Sequence, residues 1–438
     1  MAKAGEQLWE TRPLESWIKC KELRLQHYRE VANARQDGKL IVSGSATWAG
    51  TLAAGLGKFV YFAGEPYGAS ISYDAQFAQE CTEAAESRGL SRDLCSYIRN
   101  YWGSMYLDKY LFGGPFPVPD LYLTFHMCDS HAKWYQICSE YTGRPQFAIE
   151  WPVSPYGGWN RQNRIDYVAA QMWDAIEWME KETGRTFDDE KLVQAIHYDT
   201  EGCSALAKAV ALNEAIPAPM DHKSLLTLYV PAVCFKHSHE ARDFYQLLLG
   251  EVQDRVENGI AALAMERYRV WHDNIPPWFF LRFYRILEQY GAVCPGSLYL
   301  MQIIMGFKLN EERRWVPAKT PREMGLELRS REDALKFFAE WIIDSPGYDL
   351  FYGAETKTGH ILQLMEQFHC QALALHLNRG CEAHACFQFE QRLSALDLGI
   401  PVLTYEGNMA DKREFDESQV VDRMEAFMES LGLEKLDS

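Results

Sequence analysis

Short apolar runs bounded by glycine, proline and polar clusters recur along the chain in two groups. The first group lies at residues 39–43, 59–62, 121–125 and 146–151, the second at 269–272, 291–294, 372–377 and 401–405. Runs this short read as strands buried on both faces, not as helices. Apolar positions at helical spacing separate them, at 75–87 and 96–112 in the first group. In the second group they fall at 277–289, 331–343, 357–369, 382–396 and 419–431. Strands alternating with helices predict parallel sheets.

Between the groups, 165–182, 189–214 and 240–266 carry long helical periodicity with few strand signals. Proline pairs at Pro217 and Pro219 and at Pro276 and Pro277 punctuate its later part. Near the N-terminus, Trp9, Trp17, Ile18, Leu23 and Tyr28 sit among charges and predict a helix. The expected fold is α/β, with two parallel-sheet units, an N-terminal helical segment and a helical middle segment. The expected divisions are 1–38, 39–158, 159–267 and 268–438. No residue-level repeat relates the two α/β units.

Composition narrows the function classes. A content of 47% hydrophobic and 13% aromatic residues excludes a disordered chain. No run of about 18 apolar residues predicts a membrane span, and residues 1–12 lack a secretory h-region. The net charge of −17, from 44 basic and 61 acidic residues, argues against a nucleic-acid partner. The eleven cysteines are odd in number and widely spaced. With no export signal, they read as reduced thiols of a cytoplasmic protein, a subset of them available to a metal.

Cys20, Cys138, Cys203, Cys234 and Cys370 lie in helical or apolar contexts, where cysteine behaves as a small hydrophobe. Cys81 and Cys294 can be read either way. Cys95, Cys128 and Cys381 differ, because each falls where a loop or strand meets a helix. A helix N-terminus favours a thiolate, and ligands of open α/β sheets bind at the carboxyl ends of strands. Three thiols there, from both units, suit a metal site between the units. There is no C-x-x-C pair, so neither a zinc ribbon nor a ferredoxin run is present. The nearest pair is Cys381 and Cys386, and joint ligation requires the first turn of their helix to be irregular. Gly44, Gly50, Gly55 and Gly57 match no dinucleotide or phosphate loop. His126, His131, His376 and His384 lie near the three cysteines, each more often structural than catalytic. Trp134, Trp151, Trp159, Trp278, Phe279 and Phe280 either line a flat dry pocket or, more simply, pack the core.

Several segments together carry a resemblance. They are Arg92-Asp93-Leu94-Cys95-Ser96-Tyr97-Ile98-Arg99, Cys128-Asp129-Ser130 and Asn378-Arg379-Gly380-Cys381, with Gly64-Glu65-Pro66 after the second strand. Gly399-Ile400-Pro401-Val402-Leu403 and Glu406-Gly407-Asn408-Met409-Ala410-Asp411 complete the set. From about residue 40 to the C-terminus the chain resembles the 2-hydroxyacyl-CoA dehydratase/benzoyl-CoA reductase family, and within it the larger cluster-bearing subunit of the ATP-dependent benzoyl-CoA reductases.

The resemblance implies two flavodoxin-like domains and a [4Fe–4S] cluster held by Cys95, Cys128 and Cys381. Cys386, Cys294 and Cys138 are candidates for a fourth ligand. It implies a related cluster-bearing sister subunit, ATPase subunits that deliver low-potential electrons, and an aryl-CoA substrate. The implied activity passes single electrons into the ring of benzoyl-CoA, giving a cyclic dienoyl-CoA. Two alternatives stand beside it: a 2-hydroxyacyl-CoA dehydratase subunit, and a non-catalytic relay or scaffold beside a substrate-binding sister.

Overall fold

A computed structural model describes residues 7–46, 48–152, 160–347 and 353–436. The first unit has strands β1 (Leu40–Gly44), β2 (Phe59–Ala63), β3 (Leu121–His126) and β4 (Gln146–Glu150). The second has β5 (Tyr268–Asp273), β6 (Ala292–Val293), β7 (Ala372–Asn378) and β8 (Val402–Gly407). Every pairing within the two sheets is parallel. The strands read as near-continuous apolar runs because helices cover both faces of a parallel sheet.

The sheet orders are β2-β1-β3-β4 and β6-β5-β7-β8. These are the same order, 2-1-3-4, counted from the first strand of each unit. The direction of winding reverses between the first and third strands, and a crevice opens there at the carboxyl ends. Architectural similarity therefore extends to topology, although the sequences show no repeat.

Helices Arg161–Thr183, Asp189–Ala211 and His239–Glu257 form the middle layer, against which the N-terminal helix Ser16–Asn33 also packs. One apolar core runs through the helical layer and both units. The expected boundary at 158 lies outside the described residues. Among the described residues no helix is long and apolar enough to cross a membrane.

Differences from the sequence expectation cluster at helix ends. The segment 277–289 is a 3₁₀ turn, Trp278–Phe280, followed by Phe283–Glu288. The segment 382–396 breaks into Glu382–Ala385 and Gln388–Asp397, with Phe387 between them at φ 65°. The segment 240–266 stops at Glu257, and its tail pairs in a short strand, Ile260–Ala261, with Glu10–Thr11.

A buried ionic network ties the two units together. Arg99, fully buried in helix Ser96–Tyr106, donates Nη1 to Asp411 Oδ2 at 2.8 Å and to Glu86 Oε1 at 3.0 Å. Its Nε reaches the Leu94 carbonyl at 3.0 Å, holding the loop that carries Cys95. Arg413 closes the network on Asp411 and Glu86. Burial pushes the Asp411 carboxyl up, but hydrogen bonds from Arg413 and Arg99 outweigh it and hold the group at about 2.

Replacing Arg99 with Met leaves the buried Asp411 carboxylate with Arg413 as its remaining cation. Urea unfolding is expected to show a loss on the order of 3 kcal/mol. The acid dependence follows from the sign of the Asp411 shift. Its folded value lies below the unfolded one, about 3.9, so its stabilisation is complete above that value. The stabilisation is lost as pH falls from there toward about 2. An acid titration of unfolding free energy should show that loss in the wild type, and Asp411→Asn should flatten it.

Candidate functional site

The crevice between the switch points is a cavity of about 410 Å³. Cys95, Cys128 and Cys381 all line it, together with Cys386. Of the other cysteines considered as a fourth ligand, Cys138 and Cys294 are buried elsewhere and do not line it.

Each of the three predicted cysteines precedes a helix. Cys95 is the N-cap of Ser96–Tyr106, and Cys128 is the N-cap of Asp129–Thr142, immediately after β3. Cys381 follows β7 through Arg379 and Gly380, and its carbonyl accepts the first helical hydrogen bond, from Ala385 N. The first-turn amides of Tyr97 and Ile98 beside Cys95, of Ser130 and His131 beside Cys128, and of His384 beside Cys381 favour the charged sulfurs, although neither Cys95 nor Cys128 makes a side-chain capping hydrogen bond.

The turn before Cys381 is built by asparagine side chains. Asn378 Oδ1 accepts from Gly380 N at 3.0 Å and from Met409 N at 3.2 Å. Asn408 Oδ1 accepts from the Ala410 and Asp411 amides. A Cβ on Gly380 would lie 2.7 Å from Asn408 Oδ1, so this close approach requires glycine.

Burial works against the thiolates that the helix starts favour. Burial pushes the Cys128 thiol up to about 11 and the Cys381 thiol up to about 12. Cys95 is driven well above its ordinary value by burial and by the neighbouring Cys381. Helix amides oppose this rise but are too weak to reverse desolvation.

The donor set nevertheless fits an iron–sulfur cluster. Three thiols close enough to repel one another when ionised need a cationic centre among them. Among the described residues, no group of three such side chains is close enough to hold a single metal ion. A four-iron cluster presents its irons at separate corners, so its thiolates stand apart.

The cavity also holds an acid–base pair that sequence reasoning missed. His131 Nε2 lies 2.8 Å from Glu65 Oε1, and Glu65 Oε2 accepts from Ala46 N at 2.8 Å. His131 Nδ1 is buried without a protein partner. Helix Gly64–Ile71 carries Glu65, and a Cβ on Gly64 would lie 2.3 Å from Tyr135 Oη. Glycine thus lets Glu65 approach the helix of His131. Glu65 sits in the first turn after β2 and His131 in the first turn after β3, both at carboxyl ends of strands, which is the signal that could have grouped them.

The other histidines divide. His126 pairs with Glu150 at 2.6 Å, away from the cavity. His376 is buried behind it, bonded to the Ile275 carbonyl, and burial lowers it to about 4. His384 lines the cavity, and burial, ahead of Lys357 and His131, lowers it to about 3.

The simpler reading of the tryptophans and phenylalanines, core packing, holds for the described ones. Trp134, Trp151, Trp278 and Phe280 are buried in the core, and Phe279 packs against it. Trp159 lies outside the described residues. The aromatic wall consists of Tyr97, Tyr229 and Tyr299, with Trp278 donating Nε1 to Tyr97 Oη from behind. Tyr229 and Tyr299 hydroxyls are 3.3 Å apart. Pro66, Ala69, Val233, Ile275, Ile303 and Met409 make the remaining wall apolar.

Comparison with known proteins gives full-length similarity. The (R)-phenyllactyl-CoA dehydratase alpha subunit of Clostridium sporogenes is 25% identical over 428 residues, covering 95% of this chain and 97% of that protein. The (R)-2-hydroxyisocaproyl-CoA dehydratase alpha subunit of Clostridioides difficile is 24% identical over 424 residues, covering 95% and 96%. A subunit of the benzoyl-CoA reductase of Thauera aromatica is 22% identical over 358 residues, covering 79% and 78%. Residues 59–431 match the family described as 2-hydroxyglutaryl-CoA dehydratase, D-component, and the chain belongs to that family.

Proposed function

We propose that this chain is the alpha-type subunit of a 2-hydroxyacyl-CoA dehydratase, with a [4Fe–4S] cluster held by Cys95, Cys128 and Cys381. The observation that carries the reading is the meeting of three helix-capping thiols from both units in one cavity. Relatives favour the dehydratase over the reductase expected from sequence. The alpha subunits from Clostridium sporogenes and Clostridioides difficile align over more of the chain and at higher identity than the reductase subunit.

Such a cluster supplies single electrons at low potential and, with three thiolates, leaves one iron open to a further ligand. The protein's own side chains supply the rest. Removing water from a 2-hydroxyacyl thioester takes a hydroxyl from one carbon and a proton from its neighbour. The Glu65 carboxylate stands 2.8 Å from the His131 ring. His131 Nδ1, which has no protein partner, is the ring atom left to exchange a proton with substrate. The apolar part of the wall, Pro66, Ala69, Val233, Ile275, Ile303 and Met409, suits an acyl group. In this reading a related sister subunit and an ATPase activator complete the enzyme.

The reductase reading keeps one support, the similarity to the Thauera aromatica reductase. ATP use separates the two. The chain, its sister subunit and the activator are combined anaerobically with a 2-hydroxyacyl-CoA, ATP and a strong reductant. The expected result is many enoyl-CoA molecules per ATP hydrolysed. ATP consumed with every product, and a dienoyl-CoA formed from benzoyl-CoA, would establish the reductase.

Two further measurements probe the site. Anaerobic protein should contain about four irons per chain. Cys95→Ser, Cys128→Ser and Cys381→Ser should each lower that content, whereas Cys20→Ser should not. Glu65→Gln should keep its iron while the dehydration rate drops about 10²–10⁴-fold. A rate unchanged by that substitution would remove Glu65 from the proton path.

A further inference from the structure

Lys357 is a lysine with almost no exposed surface, in helix Ala354–Gln367 behind the cavity. A buried ammonium must be paired and hydrogen-bonded. Its carboxylate neighbour, Asp273 at the end of β5, is also buried, and Asp273 Oδ2 lies 3.9 Å from Nζ. The nearer contacts are backbone carbonyls: His384 O at 2.5 Å and Cys386 O at 3.1 Å. The ammonium therefore grips the turn carrying Cys381 and Cys386 more tightly than it grips its counter-ion.

That turn is the irregular one. Helix Glu382–Ala385 lasts one turn, and Phe387 at φ 65° redirects the chain before Gln388–Asp397 begins. A helix that stops so early leaves carbonyls without intrahelical donors. Lys357 satisfies two of them, as a cation does at a helix C-terminus. The break allows Cys381 and Cys386, five positions apart, to line the same cavity. The charge of Lys357 also acts on Cys381 and on His384.

We propose that Lys357 is a positioning residue for the cluster, pinning the Cys381–Cys386 turn and, with Asp273, setting the charge that the reduced cluster meets on that side. The proposal rests on the cluster reading above, but it makes a separate claim. Fold stability alone would need only a satisfied lysine. A tuned site needs a cation whose removal and whose counter-ion's removal act in opposite directions on the reduction potential.

The test uses the full chain in two states. In iron-free protein, hydrogen exchange of the 381–388 amides is followed by mass spectrometry for wild type, Lys357→Met and Asp273→Asn. Faster exchange in Lys357→Met, with Asp273→Asn near wild type, is expected. In anaerobically reconstituted protein, a redox titration should place Lys357→Met at a more negative midpoint than wild type. Asp273→Asn should move to a less negative one, and Lys357→Arg should stay close to wild type. Unchanged exchange in Lys357→Met overturns the pinning. Shifts of the same sign in Lys357→Met and Asp273→Asn overturn the electrostatic role. A wild type that takes up no iron refutes the cluster reading instead, and the exchange result still decides whether Lys357 holds the turn.

Discussion

Arg99 is a fully buried guanidinium, and a buried cation must find its counter-charges wherever the fold can bring them. Here they come from both units: Glu86 from the first, Asp411 from the turn after β8 in the second. The same guanidinium holds the Leu94 carbonyl next to Cys95. Asp411 is in turn fixed by Asn408, which packs on Gly380 beside Cys381. A continuous path of hydrogen bonds and contacts thus runs from one thiol-bearing loop to the other. Losing the pair would leave a charge stranded in a low-dielectric interior, a heavier loss than that of a surface ion pair. The relative placement of the two units, and hence the shape of the cavity, depends on it.

The two units share one strand order but contribute unequally. Cys128 and Cys381 follow the third strand of their respective units, so they occupy equivalent places at two switch points. The first unit adds Cys95 and the Glu65–His131 pair. The second adds Cys386 on its broken turn, with Lys357 and Asp273 behind it. The carboxylate–imidazole pair lies on one wall, and the buried Lys357 backs the other. A duplicated topology therefore yields one asymmetric site.

The strands were legible because parallel strands covered on both faces are apolar throughout and end sharply at polar turns. The junction cysteines were legible for the same reason, since a strand end followed by a helical pattern marks a place on the sheet. The break at Phe387 was not, because a left-handed phenylalanine leaves no compositional mark and is held there by tertiary contacts. Nor was the pairing of Glu65 with His131, which requires the adjacency of β1, β2 and β3. The tryptophans were legible as core, because a large ring between two packed layers is far more often core than wall. The burial that opposes the thiolates and outweighs the helix dipole was not, because sequence does not display it.

That imbalance explains why helix caps are used at all. In the proposed reading, amides too weak to ionise a thiol still favour its charged sulfur once a cluster takes the proton's place. Those of Tyr97, Ile98, Ser130, His131 and His384 lie beside the three sulfurs. Hydrogen bonds to the sulfurs are among the levers that set a cluster's potential, and these are backbone groups fixed by helix starts. They need no reorganisation when charge arrives, which is the property a one-electron site requires. Partial burial then has a second effect: away from bulk water, each fixed dipole and the Lys357 charge act more strongly than they would at the surface. In the proposed reading, the desolvation that disfavours free thiolates is therefore what makes the fixed charges around them effective.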